Sequence, residues 1–537
     1  MSSPGECDVA GDVAEDVPWD VICLGAGLTS LAFAAQLVQR HPGVRVLVLE
    51  KHHVPGGYAS VFHRPRQSAV FDCSLHKLSG MRGEGNLKRI LDDMGLSHEL
   101  ELVYPASFLQ ASFESGNVTL PNNAEQTRAL LKQRYPLDVA GIDQFFADVE
   151  LHGKNAYFQF QMMAGQYDVN VPQLIADLRF ALKNLRGITV QEAFRKLFHS
   201  EELRELLALP VGYVGGYPED FSYLYFLHII YATLHCGNAY VKGASQALSD
   251  ALAAKIEQAG GKVALRTRVE HIMVGPDLEF EGVQTRKGVF KGRQLYINAA
   301  PHYALEQLFP ASLQLDDVKR KLADLKASWA AVTLYVVLDG DPASYGLECT
   351  ETFLIGAFND EAGELRRSAM ASGADAHMEQ AFWEVPPIEI TNYHAMNPEA
   401  GAVLIFNMFD SIHHWPVRRT PAYKAKKRRF TEVVLERFYA RFPAFRGHIR
   451  YTEVSTPRTY ERYTNNTNGA GFGALVTTTL SPHLFHHGFP IANVHFMSTW
   501  LAGPSYEAAF GFAEHKAMNW RHLGTARTSG GLNTSTA

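Results

Sequence analysis

Cysteine is scarce in this chain of 537 residues, which has five cysteines and no C-x-x-C pair. This scarcity excludes a disulfide framework and a cysteine zinc site, and it favours a reducing compartment, the cytoplasm. No uninterrupted run of ~18 apolar residues occurs, so no membrane-spanning helix is predicted. Neither sign of charge dominates, because 50 Lys and Arg face 56 Asp and Glu. Nucleic acid is therefore not an expected partner.

Two catalytic motifs are also missing from the sequence. There is no G-x-S-x-G nucleophile elbow and no H-E-x-x-H helix. The first absence speaks against a serine hydrolase of that type, and the second against a zinc protease. No metal site is predicted.

The two ends of the sequence lack the composition of a packed core. Residues 1–16 are acidic and polar, without the basic start and apolar stretch of a secretory signal, and residues 523–537 are small and polar. Both segments are predicted to be disordered. Over the whole chain, 46% of the residues are hydrophobic and 20% are charged, which is ordinary for a globular protein. The length predicts two or three domains.

A strand, a glycine-rich turn, a helix and a second strand follow one another near the start. The apolar run DVICL leads into GAGLTS at residues 25–30. Gly25 permits the tight turn, and Gly27 lets the backbone approach a pyrophosphate at the helix N-terminus. Ser30 is the small residue needed at the third position. Glu50 ends the second strand, where a carboxylate can accept hydrogen bonds from a ribose. The pattern predicts FAD or NAD rather than NADP.

A glycine doublet favours FAD over NAD. Gly56 and Gly57 provide a second close backbone approach, which an extended FAD needs and an NAD dehydrogenase does not. With the upstream fingerprint, this stretch resembles the start of the amine oxidase and phytoene desaturase superfamily of flavoproteins. Amine oxidases usually carry Gly-Gly-Arg here, whereas this chain has Tyr58. The resemblance implies FAD bound by Gly25, Gly27, Leu28, Thr29, Ser30, Glu50, Lys51, Gly56, Gly57, Tyr58, Ala59 and Ser60.

Later stretches continue the resemblance in chain order. Residues 71–76 (FDCSLH) resemble a segment of the carotenoid isomerase and retinol saturase branch, which makes His76 the candidate catalytic residue. Residues 240–272 resemble the segment that borders the adenine, so Val269 is expected to contact the cofactor. The last strand, turn and helix resemble the part that faces the flavin, and Trp500 and Tyr506 are expected to line that cavity.

The same resemblance predicts the architecture. An α/β fold is expected, in which a Rossmann-like (βαβ) FAD-binding domain is interleaved with an α+β substrate-binding domain. The FAD-binding domain is expected over residues 17–100, 236–310 and 455–522. The substrate-binding domain is expected over residues 101–235 and 311–454.

Three functions remain open on the sequence alone. The first is an FAD-dependent oxidoreductase that desaturates, saturates or isomerises carbon–carbon bonds of a long hydrophobic substrate, such as a polyene, carotenoid, retinoid or related lipid. The second is an FAD-dependent amine oxidase, which Tyr58 disfavours. The third is a non-catalytic binding subunit with a flavoprotein fold.

Two segments suggest partners beyond the substrate. Phe221–Leu234 is apolar and aromatic-rich. Its alternatives are core packing, a wall for a long apolar substrate, and contact with a membrane interface. Lys424–Arg429 (KAKKRR) is a dense basic run. Its alternatives are a solvated helix face, a docking site for an acidic carrier protein, and a contact with anionic lipid.

Overall fold

The computed structural model describes residues 17–73, 77–163, 171–355, 383, 386–478 and 489–523. The strands in these ranges are β1 (Trp19–Leu24), β2 (Val46–Leu49), β3 (Val61–Arg64), β4 (Ala69–Asp72), β5 (Leu78–Ser79), β6 (Leu102–Val103), β7 (Ser107–Phe113), β8 (Gly116–Pro121), β9 (Asn238–Val241), β10 (Lys262–Ala264), β11 (Val269–Val274), β12 (Phe280–Thr285), β13 (Gly288–Ile297), β14 (Ala330–Leu338), β15 (Glu351–Leu354), β16 (Ile388–Asn392), β17 (Val403–Asp410), β18 (Ile449–Ser455) and β19 (Val494–Phe496).

The α-helices in the same ranges are α1 (Leu28–Arg40), α2 (Asn86–Asp93), α3 (Ala124–Arg134), α4 (Val139–Asp148), α5 (Lys154–Met163), α6 (Val171–Asn184), α7 (Val190–Leu197), α8 (Glu201–Ala208), α9 (Tyr223–Ile230), α10 (Ala244–Gln258), α11 (Pro301–Gln307), α12 (Asp316–Ala323), α13 (Tyr393–Met396), α14 (Pro421–Arg441), α15 (Pro457–Thr464), α16 (Thr499–Ala502) and α17 (Tyr506–Met518). Short 3-10 turns include Leu209–Val214 and Ile412–His414, and π-helical turns occupy Val149–Gly153 and Tyr231–His235.

A parallel sheet, built from both ends and the middle of the sequence, is the centre of one half of the molecule. Its described strands run in the order β10, β2, β1, β13 and β19, all parallel. The apolar β1 and β2 are almost completely buried because both faces of the sheet are covered. Helices α1, α10 and α17 contribute to the core on one face, and α11 and α12 to the core on the other. The start of β13 continues into an antiparallel meander with β12 and β11.

A second, mostly antiparallel sheet forms the other half. Its described strands run in the order β18, β14, β17, β16, β15, β7 and β8, and only the β15–β7 pair is parallel. Alternate residues of a strand point to opposite faces. On one face, the core residues of α14 accordingly pack against Val332, Leu334 and Phe406. On the other face, Tyr335 and Ile405 join the core that the parallel sheet forms with α1, α10 and α17.

Helices α3, α4, α5, α7, α8 and α9 build a separate apolar cluster beside β7 and β8. Phe221, Phe226 and Leu227 lie fully inside this cluster. Most of Phe221–Leu234 is therefore buried as core, which supports core packing for this segment. Contact of the protein with a membrane interface stays a prediction. In the described part of the chain, none of the helices has both the length and the hydropathy that crossing a membrane requires.

The strands of the parallel sheet and its meander fall within residues 17–100, 236–310 and 455–522. The strands of the second sheet fall within 101–235 and 311–454, except that β18 ends one residue later, at Ser455. The division of the chain into these two domains stays a prediction. The predicted leader, and all of the predicted tail except its first residue, lie outside the described residues.

Candidate functional site

The turn between β1 and α1 leaves no room for side chains. Gly25 has a φ of +91°, and a Cβ there would lie 2.8 Å from the carbonyl oxygen of Asn298. A Cβ on Gly27 would lie 2.7 Å from Asn298 Nδ2. The backbone of β13 therefore approaches the turn closely, and the first N–H groups of α1 remain available for an anionic ligand.

The glycine doublet completes this cradle. The Gly56 N–H donates a hydrogen bond to Ala26 O at 2.7 Å, and Gly56 pairs with Gly27 in an isolated parallel bridge. Gly56 has a φ of +113°, and a Cβ there would lie 2.1 Å from Ala59 O. The two glycine segments, 30 residues apart in sequence, thus form one backbone surface, which matches the second close approach expected from the sequence.

Glu50 ties the two glycine segments together. Its side chain is buried, and Oε2 accepts a hydrogen bond from the Ala26 N–H while Oε1 accepts one from the His52 N–H, each at 2.8 Å. Each carboxylate oxygen retains a lone pair that can accept a further hydrogen bond, as from a ribose hydroxyl. Burial lowers the pKa of the neighbouring Lys51 to about 8, although the charge of Glu50 acts in the opposite direction.

Two buried polar atoms beside the cradle have no hydrogen-bond partner among the described residues. They are Asn298 Nδ2, which faces Gly27, and Ser498 Oγ, at the N-terminus of α16. Both residues line the same cavity as the glycines. Buried donors of this kind are normally satisfied. A phosphate- and ribose-bearing cofactor would supply their acceptors, so the residues present fit such a group.

The cavity brings most of the predicted cofactor residues together. Its volume is about 1410 Å³ and its walls are mainly apolar. The predicted residues that line it are Gly25, Gly27, Leu28, Thr29, Glu50, Lys51, Gly56, Gly57, Tyr58, Ala59, Ser60, Val269, Trp500 and Tyr506. Ser30 is fully buried but does not line it. Its small side chain instead lies against Cys23, which is the packing role of the third fingerprint position. His76 lies outside the described residues.

Tyr58 and Trp500 meet on the same side of the cavity. The Tyr58 hydroxyl donates to Ala470 O at 2.8 Å, and the Trp500 indole N–H donates to Asn466 Oδ1 at 3.1 Å. The Asn466 amide in turn donates to the Tyr58 hydroxyl at 3.3 Å. These contacts fix both rings, so that their apolar surfaces form a rigid wall.

A buried carboxyl stands at the start of the last helix. Glu507 lies in the first turn of α17, where it accepts hydrogen bonds from the Tyr157 hydroxyl and from Ser79 Oγ, the latter at 2.8 Å. Burial raises the pKa of Glu507 to about 7. Because Glu507 lines the cavity, this carboxyl can hold a proton there near neutral pH.

The sequence reasoning missed a polar row on the second sheet. We use the name polar row for Thr333, Asn407, Glu389, Glu351 and Lys77. All except Thr333 line the cavity. A signal was present in the sequence for two of these residues, because β14 and β17 each carry one polar residue, Thr333 or Asn407, inside an otherwise apolar run.

Comparison with known proteins agrees with this geometry. Residues 23–94 match a family model described as an NAD(P)-binding Rossmann-like domain. The chain is 23% identical to an all-trans-retinol 13,14-reductase of Danio rerio, over 87% of this chain and 79% of that protein. It is 25% identical to a 4,4'-diapolycopen-4-al dehydrogenase of Metabacillus indicus, over 86% of this chain and 87% of that protein.

A solved structure supports the fold. An oxidoreductase from Methanosarcina mazei aligns with a TM-score of 0.59 at 14% identity, covering 92% of this chain and 98% of that one. The predicted fold class, a Rossmann-like domain interleaved with an α+β domain, is confirmed. Together the likenesses indicate a flavin-type cofactor.

Proposed function

We propose that this chain belongs to the phytoene desaturase and retinol saturase-like branch of the FAD-dependent amine oxidase superfamily, and that it is an FAD-dependent oxidoreductase that acts on carbon–carbon bonds of a long hydrophobic substrate. Polyenes, carotenoids and retinoids are the substrate class. The observation that carries the proposal is the continuity of one cavity, which joins the glycine cradle to a mainly apolar space against the second sheet.

FAD is the cofactor that the cradle fits best. Gly25, Gly27, Gly56 and Gly57 would accept the pyrophosphate against bare backbone, with the N-terminus of α1 towards its charge. Glu50 would accept hydrogen bonds from the adenosine ribose. The unpartnered Asn298 and Ser498 atoms would hydrogen-bond the remaining polar length of the cofactor.

The bound flavin supplies hydride exchange with a substrate carbon. The protein's own part is to place that carbon and to exclude water. Trp500 and Tyr506 wall the cavity next to α17, and the buried Glu507 carboxyl holds a proton at its Oε atoms. His76 stays a prediction for a polar group near the flavin.

Amine oxidation is the weaker alternative. The two relatives described above, which align over most of the chain, are named for a retinoid and a carotenoid compound. Tyr58 occupies the position after the doublet, where amine oxidases usually have arginine, and its hydroxyl is held by Ala470 O. A non-catalytic binding role is the third alternative, and one relative, 20% identical over 82% of this chain, is named an inactive all-trans-retinol 13,14-reductase.

One experiment tests cofactor and substrate class together. The purified protein is expected to be yellow and to release FAD on denaturation. Under anaerobic conditions, all-trans-retinol should reoxidise the photoreduced flavin if the enzyme saturates, or phytoene should bleach the oxidised flavin if it desaturates. A protein that stays colourless after excess FAD and gel filtration would overturn the proposal. Peroxide release with amines in air would establish the alternative.

The proposed location is the cytoplasm, where the four described cysteines, all of them free, would stay reduced.

The side chains of the basic run Lys424–Arg429 have different surroundings in the fold. Lys426 lies over the rings of Trp383 and Trp415 and donates to His414 O, whereas Lys424, Arg428 and Arg429 are exposed.

The three exposed cations are the part of the run that we propose for contact with anionic lipid or an acidic carrier. Changing Lys424, Arg428 and Arg429 together to Glu should abolish flotation with vesicles containing phosphatidylserine, and Lys426 should be left intact to preserve its packing. Flotation that survives the triple change would remove lipid from the proposal.

A further inference from the structure

Three members of the polar row lie in direct register on neighbouring strands, and a fourth lies on the next strand, offset by two residues. Thr333 on β14 lies opposite Asn407 on β17, and Asn407 lies opposite Glu389 on β16. Glu389 lies opposite Phe353 on β15, and Glu351 is two residues before Phe353 on the same face. The neighbouring residues Leu334, Phe406 and Ile390 point to the other face and pack with α14. The row is thus a polar stripe on the cavity side of an apolar sheet.

The members of the row are joined by hydrogen bonds and an ion pair. Thr333 Oγ1 donates to Asn407 Oδ1 at 2.9 Å and accepts from the Tyr460 hydroxyl at 2.7 Å. At the other end, Lys77 Nζ lies 2.9 Å from Glu351 Oε2, and the Tyr213 hydroxyl donates to Glu351 Oε1. The Lys77 side chain is 6% exposed and that of Glu351 is 0% exposed. This end of the row is therefore a desolvated cluster in the cavity wall.

The cluster consists of Lys77, Glu351, Glu389 and Tyr213. It carries no net charge when Lys77 and Glu351 form an ion pair and Glu389 and Tyr213 are protonated. Lys77 and Glu351 cancel each other as an ion pair. Burial and then the charge of Glu351 raise the pKa of Glu389 well above its ordinary value, so this carboxyl stays protonated. The same two causes raise the pKa of Tyr213. A ligand group beside this cluster therefore meets hydrogen-bond donors and acceptors but no net positive or negative charge.

Lys77 has donor capacity left for such a ligand. An ammonium group has three N–H donors. Within the described part of the chain, it donates to Phe108 O and forms an ion pair with Glu351, which together use at most two of them. Lys77 precedes β5, whose Ser79 bonds Glu507 at the start of α17. The cluster therefore lies along the same cavity as the expected flavin end.

We propose that Lys77, Glu351, Tyr213 and Glu389 bind a hydroxyl end group on the otherwise apolar substrate and so fix its register along the cavity. This inference rests on the proposed function and narrows its substrate class to polyene alcohols. A hydroxyl accepts from the ammonium group and donates to a carboxyl oxygen. A carboxylate would add a second negative charge beside Glu351, and a hydrocarbon end would cover the cluster without any hydrogen bond.

Binding of three chain-matched probes tests the inference. The probes are all-trans-retinol, the hydrocarbon with a methyl group in place of its CH2OH, and the corresponding carboxylic acid. Dissociation constants are measured with the flavin-loaded protein by perturbation of the visible flavin spectrum. The alcohol should bind about tenfold or more tightly than the hydrocarbon and the acid, because it alone gains a charge-assisted hydrogen bond without a charge clash.

The variant pair Lys77→Met with Glu351→Gln removes the ion pair without leaving one buried charge alone. In this double variant the alcohol should lose its advantage, while the Kd of the hydrocarbon should stay within about twofold. Tyr213→Phe is a milder variant, which deletes one hydroxyl only, and it should reduce the advantage part of the way. Tyr213→Phe carries the test if the double variant does not retain flavin.

Three outcomes would overturn the inference. Equal binding of alcohol and hydrocarbon to the unchanged protein would refute the hydroxyl-binding site but would not contradict the proposed action on polyenes. Discrimination that persists in both the double variant and Tyr213→Phe places the recognition elsewhere. Failure of all three probes to bind flavin-loaded protein removes the substrate class of the proposed function as well.

Discussion

Gly56 has a backbone conformation that residues with a side chain rarely adopt, and its Cα faces the carbonyl oxygen of Ala59. Alanine at this position would need φ near +113° and would place Cβ 2.1 Å from Ala59 O, so the second glycine segment must move. We expect Gly56→Ala to weaken FAD binding by about 100-fold or more, since a cradle of this kind depends on sub-ångström placement. Retention of flavin through gel filtration and a titration of the apoprotein measure the loss.

Gly43→Ala is the matched control for that change. Gly43 also has a positive φ, of +89°, but a Cβ there would meet no atom within 4 Å. The control should lose a little stability from the backbone angle and should bind FAD normally. Equal loss of FAD in both variants would mean that backbone strain, and not the cradle, is responsible.

Glu507 should make stability depend on pH. Its folded pKa of about 7 lies above the ordinary value of 4.5 for a glutamate. The folded state therefore binds a proton that the unfolded chain releases, so stability is greatest at low pH and falls as pH rises from about 4.5 to about 7. The full difference is on the order of 3 kcal/mol.

Glu507→Gln removes this dependence. The melting temperature of the variant relative to the unchanged protein should rise between pH 5 and pH 8 by a few degrees, because only the unchanged protein has to bury a charge. Parallel melting curves of the two proteins over that range would contradict the raised pKa.

At the scale of an element, the 3-10 turn Ile412–His414 is anchored by one carboxylate. Asp410 is fully buried and accepts hydrogen bonds from His414 Nδ1 at 2.5 Å, from the Trp415 indole at 2.8 Å and from the Trp383 indole at 3.1 Å. The turn connects β17 to α14 on the outer face of the second sheet. It therefore sets how α14 packs.

Asp410→Ala should destabilise this part of the molecule by ~3–5 kcal/mol, because three buried donors lose their acceptor. Urea unfolding followed by tryptophan fluorescence measures the loss, since two of the donors are indoles. Asp341→Ala is the control. Exposed Asp341 accepts a side-chain hydrogen bond from the Ala343 N–H and has a long contact of 3.8 Å with His394 Nε2, so its loss should cost ~1 kcal/mol. A similar effect of both changes would show that Asp410 is not the anchor.

At the scale of the whole molecule, the cavity joins segments from Leu24 to His515. A cofactor bound there contacts the parallel sheet, the last helix and the face of the second sheet together. FAD at 100 times its Kd should stabilise the folded protein by ~2.7 kcal/mol. Melting curves with FAD, NAD and NADP should show this shift for FAD, and a larger shift with a nicotinamide dinucleotide would refute the assignment.

Residues close in sequence made the cofactor half predictable. The strand–turn–helix–strand unit places Gly25, Gly27 and Glu50 together through contacts within about 30 residues, so local periodicity and turn chemistry suffice. The role of Ser30 followed the same logic, because a small residue at that position packs against β1 whether or not it touches the ligand. The doublet Gly56-Gly57 indicated a second place where the backbone can approach the cofactor closely.

Hydropathy alone could not predict which apolar surfaces become core. Phe221–Leu234 has the composition of a membrane-interface segment, yet it is covered by the other helices of its cluster. Lys426 belongs to a basic run but lies between two indoles that come from other parts of the chain. Burial depends on neighbours distant in sequence, which periodicity does not specify.

By itself, then, the sequence determined the dinucleotide cradle, because its contacts are local and each glycine and acid has one geometric role. Only the tertiary structure decided the polar row and its cluster with Tyr213, whose members come from six separate segments between Lys77 and Asn407. Strand register brings Thr333, Glu351, Glu389 and Asn407 to one face. Lys77 and Tyr213 reach Glu351 from segments outside that sheet. The physical reason is that strand pairing, unlike helix and turn formation, is fixed by long-range packing.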